Sequence, residues 1–205
     1  MATWVRKSFE SHGLTQHKPG PHLSKIQELA AGWVVLCIDI SGSMSGSPIR
    51  QACDGARRFL AEAAQNGYRV ALLEWHHDVG GYHGFDTGLA RIDAILKQGL
   101  TASGGNNIVP TLDLCEREMG DYRGDRVVAI FGDGDLGDPD SAKRKAETLH
   151  QKGIRILTLG LGAGSASALS AISNEDRTQP RMVEADRLAD GIAGLAGALK
   201  RTSQS

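Results

Sequence analysis

Four short, near-continuous apolar segments decide what this chain can become: "GWVVLCID" (32–39), "YRVALLEW" (68–75), "DRVVAIFGD" (125–133) and "IRILTLGLG" (154–162). A strand with one face in water would alternate polar and apolar residues, so these runs are expected to be strands buried on both faces, the pattern of a parallel sheet. Parallel neighbours need crossovers, and segments with helical spacing of apolar residues lie between them at 49–65, 88–98, 109–118 and 141–151. Beyond the last run, 166–173 and 187–200 read as helix and "RMVEA" (181–185) as a further strand. The alternation predicts a doubly wound, mostly parallel, open α/β sheet with helices on both faces. "GYHGF" (81–85) follows the second strand with too little chain for a crossover, so an antiparallel edge strand is expected there.

A chain of 205 residues has room for one ordinary domain with a sizeable core. Residues 1–32 break the periodicity with Gly13, Pro19, Gly20 and Pro21, and only "LSKIQELA" looks helical, so they are expected to form an N-terminal extension. The domain proper is expected at 33–200, with 201–205 as a tail. His12, His17 and His22 recur every five residues, a spacing that no helix face preserves, and read as solvated loop histidines. The net charge of −1 and the scattered basic residues give no footprint for nucleic acid or an anionic membrane. Cys37, Cys53 and Cys115 are widely spaced in apolar segments, as reduced core thiols would be. No apolar run approaches the length of a membrane span or a signal segment, and a cytoplasmic location is expected.

The first strand ends on Asp39 and runs into Ile40, Ser41, Gly42, Ser43, Met44, Ser45, Gly46 and Ser47, far more serine and glycine than a turn requires. In an open α/β sheet, ligands bind beyond the carboxyl ends of the strands where strand order reverses. Two further loops belong to that rim: "FGDGDLGD", with Asp133, and "TASGGNNIV", with Asn106 and Asn107. Carboxylates, hydroxyls and a carboxamide therefore converge on one crevice without a basic neighbour. Two carboxylates so placed repel unless a cation, a proton or an amide donor separates them. An all-oxygen donor set suits Mg²⁺, with Mn²⁺ or Ca²⁺ as alternatives.

The segment Asp39-Ile40-Ser41-Gly42-Ser43 resembles the DxSxS motif of von Willebrand factor type A (vWA) domains of the intracellular bacterial type, which carry a metal-ion-dependent adhesion site. "GGNNI" (104–108) and "GDG" (132–134) stand in the order and at the distance of that family's second and third loops, and the resemblance covers 33 to about 200. It implies a Rossmann-like fold in which Ser41 and Ser43 bind the metal through their hydroxyls, and Asp39 and Asp133 bind it directly or through water. The open coordination position would take an acidic side chain of a partner protein, with Met44, Ser45, His76, His77, Asn107 and Asp135 as the rim. Neutral serines leave much of a cation's charge uncompensated, which gives that position its appetite for a carboxylate. Two residues depart from the family pattern. Asn106 stands where threonine is usual, as a carbonyl ligand or as a helix cap, and Gly132 stands where threonine or serine is usual.

Rival readings of these residues fare less well. "SGSMSGSP" lacks the lysine of a phosphate-binding Walker loop, "GLGAGS" (160–165) has Ser165 in place of a third glycine, and the closing glutamate of a calcium loop begun at Asp133 would fall on Arg144. Asp138 and Asp140 read instead as caps of the helix at 141–151. A metal-dependent hydrolase could recruit His76, His77 or His83 as a base, yet no nucleophile with its own base is visible. The expectation is therefore a non-enzymatic adaptor. By analogy with the family, the alternative is a regulatory subunit of a MoxR-type AAA+ ATPase or of a stress or toxic-ion resistance complex.

Overall fold

The computed structural model describes residues 32–175 and 179–199. The expected extension, with its three histidines and "LSKIQELA", and the tail at 201–205 lie outside them. Strands β1 (Gly32–Asp39), β2 (Tyr68–Trp75), β3 (Val79–His83), β4 (Arg126–Gly132), β5 (Ile154–Leu161) and β6 (Met182–Val183) form a sheet in the order β3-β2-β1-β4-β5-β6. Every pairing is parallel except that of β2 with β3. The fold is thus the expected mostly parallel α/β sheet with one antiparallel edge strand.

All eight residues of β1 are buried because helices cover both faces. Val34, Leu36 and Ile38 join one layer with helix α1 (Ser47–Gln65), helix α2 (Leu89–Gln98) and the segment 188–199. Val35 and Cys37 join the other, with helices α3 (Val109–Met119), α4 (Pro139–Gln151) and α5 (Gly162–Ser170). Helix α1 presents Ala52, Ala56, Phe59, Leu60 and Ala63 to the sheet at helical spacing. Burying Phe59 and Leu60 contributes about 1.5–3 kcal/mol each. At Gly55 helix α1 meets helix α6 (Leu188–Gly194) so closely that a Cβ would lie 2.7 Å from the Ala189 carbonyl.

Three of the boundaries that differ from expectation have a local cause. The edge strand begins at Val79 rather than at 81, because a register shift at Glu74/Trp75 lets Trp75 still pair with Val79, and a tight turn, closed by His76 N–H to the Asp78 carbonyl at 3.0 Å, returns the chain at once. Helix α5 starts at Gly162, directly off β5, so most of "GLGAGS" is helical. The closing helix divides after Gly194 into α6 and a 3-10 turn at Leu195–Leu199, in a segment where Gly191, Gly194 and Gly197 weaken α-helical propensity. At helix α4, Asp138 is the N-cap, accepting from Ser141 N–H at 3.0 Å, while Asp140 lies within the first turn. No helix among the described residues is long and apolar enough to cross a membrane.

Strand order reverses between β1 and β4: the chain first moves outward through β2 and β3, then crosses back to β4, β5 and β6. The carboxyl ends of β1 and β4 are Asp39 and Gly132, the latter just before Asp133. The crevice expected of this topology therefore opens between the two acidic strand ends.

Candidate metal centre

Asp39 is wholly buried at the end of β1, and both of its oxygens accept backbone N–H groups. Oδ1 accepts from Ser41 at 2.8 Å and Oδ2 from Asp133 at 3.2 Å, so one side chain ties the first loop to the third. The chain then makes a 3-10 turn at Gly42–Met44, which brings the Ser41 and Ser43 hydroxyls to 3.0 Å of one another. The Ser43 hydroxyl also donates to Asp133 Oδ2 in a very short contact. The second loop is stitched on by three backbone bonds: Ser103 N–H to Ile40 O (2.7 Å), Gly42 N–H to Gly104 O (3.0 Å) and Asn107 N–H to His76 O (2.8 Å). Gly104 adopts φ +83, a left-handed conformation that favours glycine.

Asp39, Ser41, Ser43, Asn106 and Asp133 are thereby brought together. The Asn106 Nδ2 donates to Asp133 Oδ1 at 3.2 Å, so in this arrangement the amide group, not the carbonyl, faces the carboxylate. Presenting Oδ1 to a cation requires a turn of the amide about its last torsion, an exchange between nearly isosteric ends. Asn106 does not cap the following helix. The N-cap position is Ile108, and Asn107, one residue before it, braces the helix start with its Oδ1, which accepts from Val109 N–H at 3.2 Å.

The expected rim divides. Ser45, His77 and Asp135 are exposed, and His76 and Asn107 are half-buried. The His76 and His77 rings stack at 4.3 Å, and His77 lies against the Gly104 turn, where a Cβ would meet its Nδ1 at 2.8 Å. Asp135 uses Oδ1 to accept from Gly137 N–H at 2.9 Å. Met44 is a correction: it is wholly buried and belongs to the core layer under helix α1, because the 3-10 turn directs its side chain inward between two exposed serines. It cannot touch a partner. His83 faces away from this chemistry, with its Nε2 3.1 Å from Glu74 Oε1 on the β2/β3 edge.

Two contacts had no sequence signal of their own. Ser165, at the start of helix α5, donates its hydroxyl to the Asp133 carbonyl, and a Cβ at Gly134 would come within 2.4 Å of the Ser165 Cα. Trp75, the last residue of β2, is wholly buried beneath the site, with its Nε1 donating to the Phe131 carbonyl at 3.3 Å. The register pairs Asp39 with Trp75 and would have flagged it, had β2 been aligned on β1 from sequence.

The electrostatics fit a cation. Burial, the largest influence, pushes the Asp39 carboxyl up from 3.8 to about 6; hydrogen bonds from Ser41 and from Asp133 N–H oppose it, and the Asp133 charge adds to it. Among the described residues, no Lys or Arg hydrogen-bonds or pairs with either carboxylate. Two adjacent carboxylates with two convergent hydroxyls form an oxygen-only donor set suited to a hard divalent ion. No cluster of three His, Cys, Asp or Glu side chains offers a competing site for a softer metal among the described residues.

Residues 34–135 match the family model of the von Willebrand factor type A domain. No curated protein matches the chain. Among solved structures, the vWF domain of the type V pili tip protein Mfa5 from Porphyromonas gingivalis superposes with a TM-score of 0.71 at 14% identity, covering 86% of this chain and 99% of that one. The conserved hypothetical protein BatB from Bacteroides thetaiotaomicron gives 0.59 at 16% identity, covering 80% and 98%. The manganese-loaded TRAP protein of Plasmodium vivax gives 0.58 at 17% identity, covering 81% and 72%. By its matched segment and its fold, the chain carries a von Willebrand factor type A domain.

Proposed function

We propose that this chain is a metal-dependent protein–protein interaction module without catalytic activity of its own. Ser41, Ser43, Asp39 and Asp133 would hold a Mg²⁺ or Mn²⁺ ion, and a partner protein would present an Asp or Glu side chain to it. The observation that carries this reading is the pair of serine hydroxyls 3.0 Å apart between two acidic strand ends that no cationic side chain among the described residues neutralises. The likeness to a protein crystallised with manganese supports the choice of a divalent ion. When bound, the cation supplies a concentrated positive charge with a position left for an external carboxylate. The chain's own residues set the selectivity: Asp39 is oriented by two backbone N–H groups, Ser41 and Ser43 add oxygen without charge, and Ser45, His77 and Asp135 form the exposed rim that a partner would meet.

Asn106 would contribute either its carbonyl, after the amide turns, or its N–H to Asp133, which fixes that carboxylate. The buried free thiols Cys37, Cys53 and Cys115 suit a reducing compartment. Affinity capture with the full chain, with and without EDTA, tests the reading. Retention of a partner in Mg²⁺, with loss both in EDTA and in Asp39→Ala, is expected. Capture indifferent to both treatments, or metal-dependent turnover of a phosphate or ester substrate that disappears in Ser41→Ala, would overturn it.

A further inference from the structure

We propose that Trp75 is a positioning residue for the metal-binding carboxylate: its indole forms the floor beneath Asp39 and is the reason position 132 holds glycine. The inference rests on the metal reading above for its functional part and on packing alone for the rest. Trp75, Asp39 and Gly132 end three adjacent strands, with β1 in the middle. The indole starts from β2 and donates to the Phe131 carbonyl on β4, so the ring passes under the end of β1. A Cβ at Gly132 would lie 2.8 Å from Trp75 Cζ2, 2.9 Å from Asp39 Oδ2 and 3.3 Å from Asp39 Cβ. The indole edge and the carboxylate thus share one volume, and any side chain at 132 displaces one of them. A fully buried, ring-wide residue is also the stiffer of the two, pinned at its Nε1 and among the largest side chains without exposure.

The displaced group would therefore be the carboxylate, which is held only by hydrogen bonds. With the ring in place, Asp39 is closed from below and can meet a cation only from the crevice side, where Ser41 and Ser43 stand. The hydroxyl that the family pattern offers at position 132 is exchanged here for an apolar floor. Gly132 and Trp75 are on this view one device rather than two independent residues.

The test is a double-mutant cycle of Gly132→Ala and Trp75→Phe in the full chain, read twice. Phenylalanine keeps the aromatic packing but removes the Cζ2 edge and the N–H. In metal-free protein, the two melting shifts should be strongly non-additive, with Trp75→Phe relieving most of the loss caused by Gly132→Ala. In Mn²⁺ titrations, Gly132→Ala alone should weaken binding roughly tenfold or more, and the double variant should recover most of that affinity. Recovery of affinity is a result that a merely stabilising role for Trp75 would not give. Additive melting shifts would overturn the packing argument even if metal binds normally. Coupled melting shifts with Mn²⁺ affinities unmoved by Gly132→Ala would overturn the positioning role. Absence of Mn²⁺ binding in the wild type removes the metal reading, and with it the functional part, while the metal-free cycle still decides whether Trp75 dictates glycine at 132.

Discussion

Raising the pH should destabilise the metal-free domain through Asp39, and a divalent ion should cancel the loss. The carboxyl is pushed from 3.8 to about 6 by burial above all, with the neighbouring Asp133 charge adding to it. A shift of that size corresponds to about 3 kcal/mol of difference between the protonated and ionised forms. The folded state holds this proton more tightly than the unfolded chain, so between pH 4 and 6 the unfolded state has released it while the folded state retains it. The contribution is therefore fully present below about pH 4 and is lost as pH rises through about 6, the reverse of a salt-bridged aspartate. Other carboxylates titrate in the same window, so the quantity to measure is the difference in urea-unfolding free energy between wild type and Asp39→Asn. Without metal, that difference should move against the wild type by about 2.4 kcal/mol between pH 4 and 7. With Mn²⁺ at a hundredfold excess over its dissociation constant at pH 7, the wild type should regain about 2.7 kcal/mol and the variant nothing. Below pH 6 the ion must displace a proton, so its affinity should fall by up to about tenfold per pH unit. A difference that stays flat, or that favours the wild type as pH rises, would refute the reasoning.

Asn106→Ala should weaken Mn²⁺ binding with little effect on metal-free melting, and Asn106→Thr should restore it by supplying a shorter hydroxyl; equal affinities in all three proteins would remove Asn106 from the site. Asn107→Ala, by contrast, should cost about 1 kcal/mol at the start of helix α3 with or without metal, since its Oδ1 is the acceptor for the first helical N–H. Asp138→Ala should likewise lower stability by about 1 kcal/mol while leaving Mn²⁺ affinity unchanged, since its side chain caps helix α4. Gly137→Ala should lower both melting temperature and metal affinity, because the residue sits at φ +74 and a Cβ there would lie 2.3 Å from the backbone carbonyl oxygen of Asn106. Circular dichroism melts paired with Mn²⁺ titrations separate these cases.

The sheet was legible because parallel strands covered on both faces leave an unmistakable run, and β1 and β2 coincide with the segments read from sequence. The antiparallel edge strand was legible in kind but displaced by two residues, since Gly80 and Gly81 carry no apolar pattern to mark its start. The grouping of Asp39, Ser41, Ser43, Asn106 and Asp133 could be anticipated because each lies just beyond a strand or before a helix on the same rim. Met44 was misassigned because a serine- and glycine-rich loop gives no periodicity from which to tell that a 3-10 turn directs one apolar side chain inward. The amide of Asn106, which faces Asp133, and that of Asn107, which accepts from the first helical N–H, differ by one residue, a resolution that sequence spacing does not reach. Trp75 looked like one more apolar residue in a buried strand. Its contact with β4 depends on a ring crossing a whole strand, which is a property of strand register rather than of local sequence.

The most direct test is anomalous diffraction from crystals of the full chain grown with Mn²⁺. A single strong manganese peak is expected between the Ser41 and Ser43 hydroxyls, at about 2.0–2.4 Å from each, within hard-cation coordination range, and with Asp39 and Asp133 bound directly or through water. At least one further position on the ion should face the crevice, filled by water or by a carboxylate from a neighbouring molecule. A manganese peak elsewhere on the chain, or none at this rim under millimolar Mn²⁺ with all four residues ordered, would contradict the metal centre and the partner-binding role built on it.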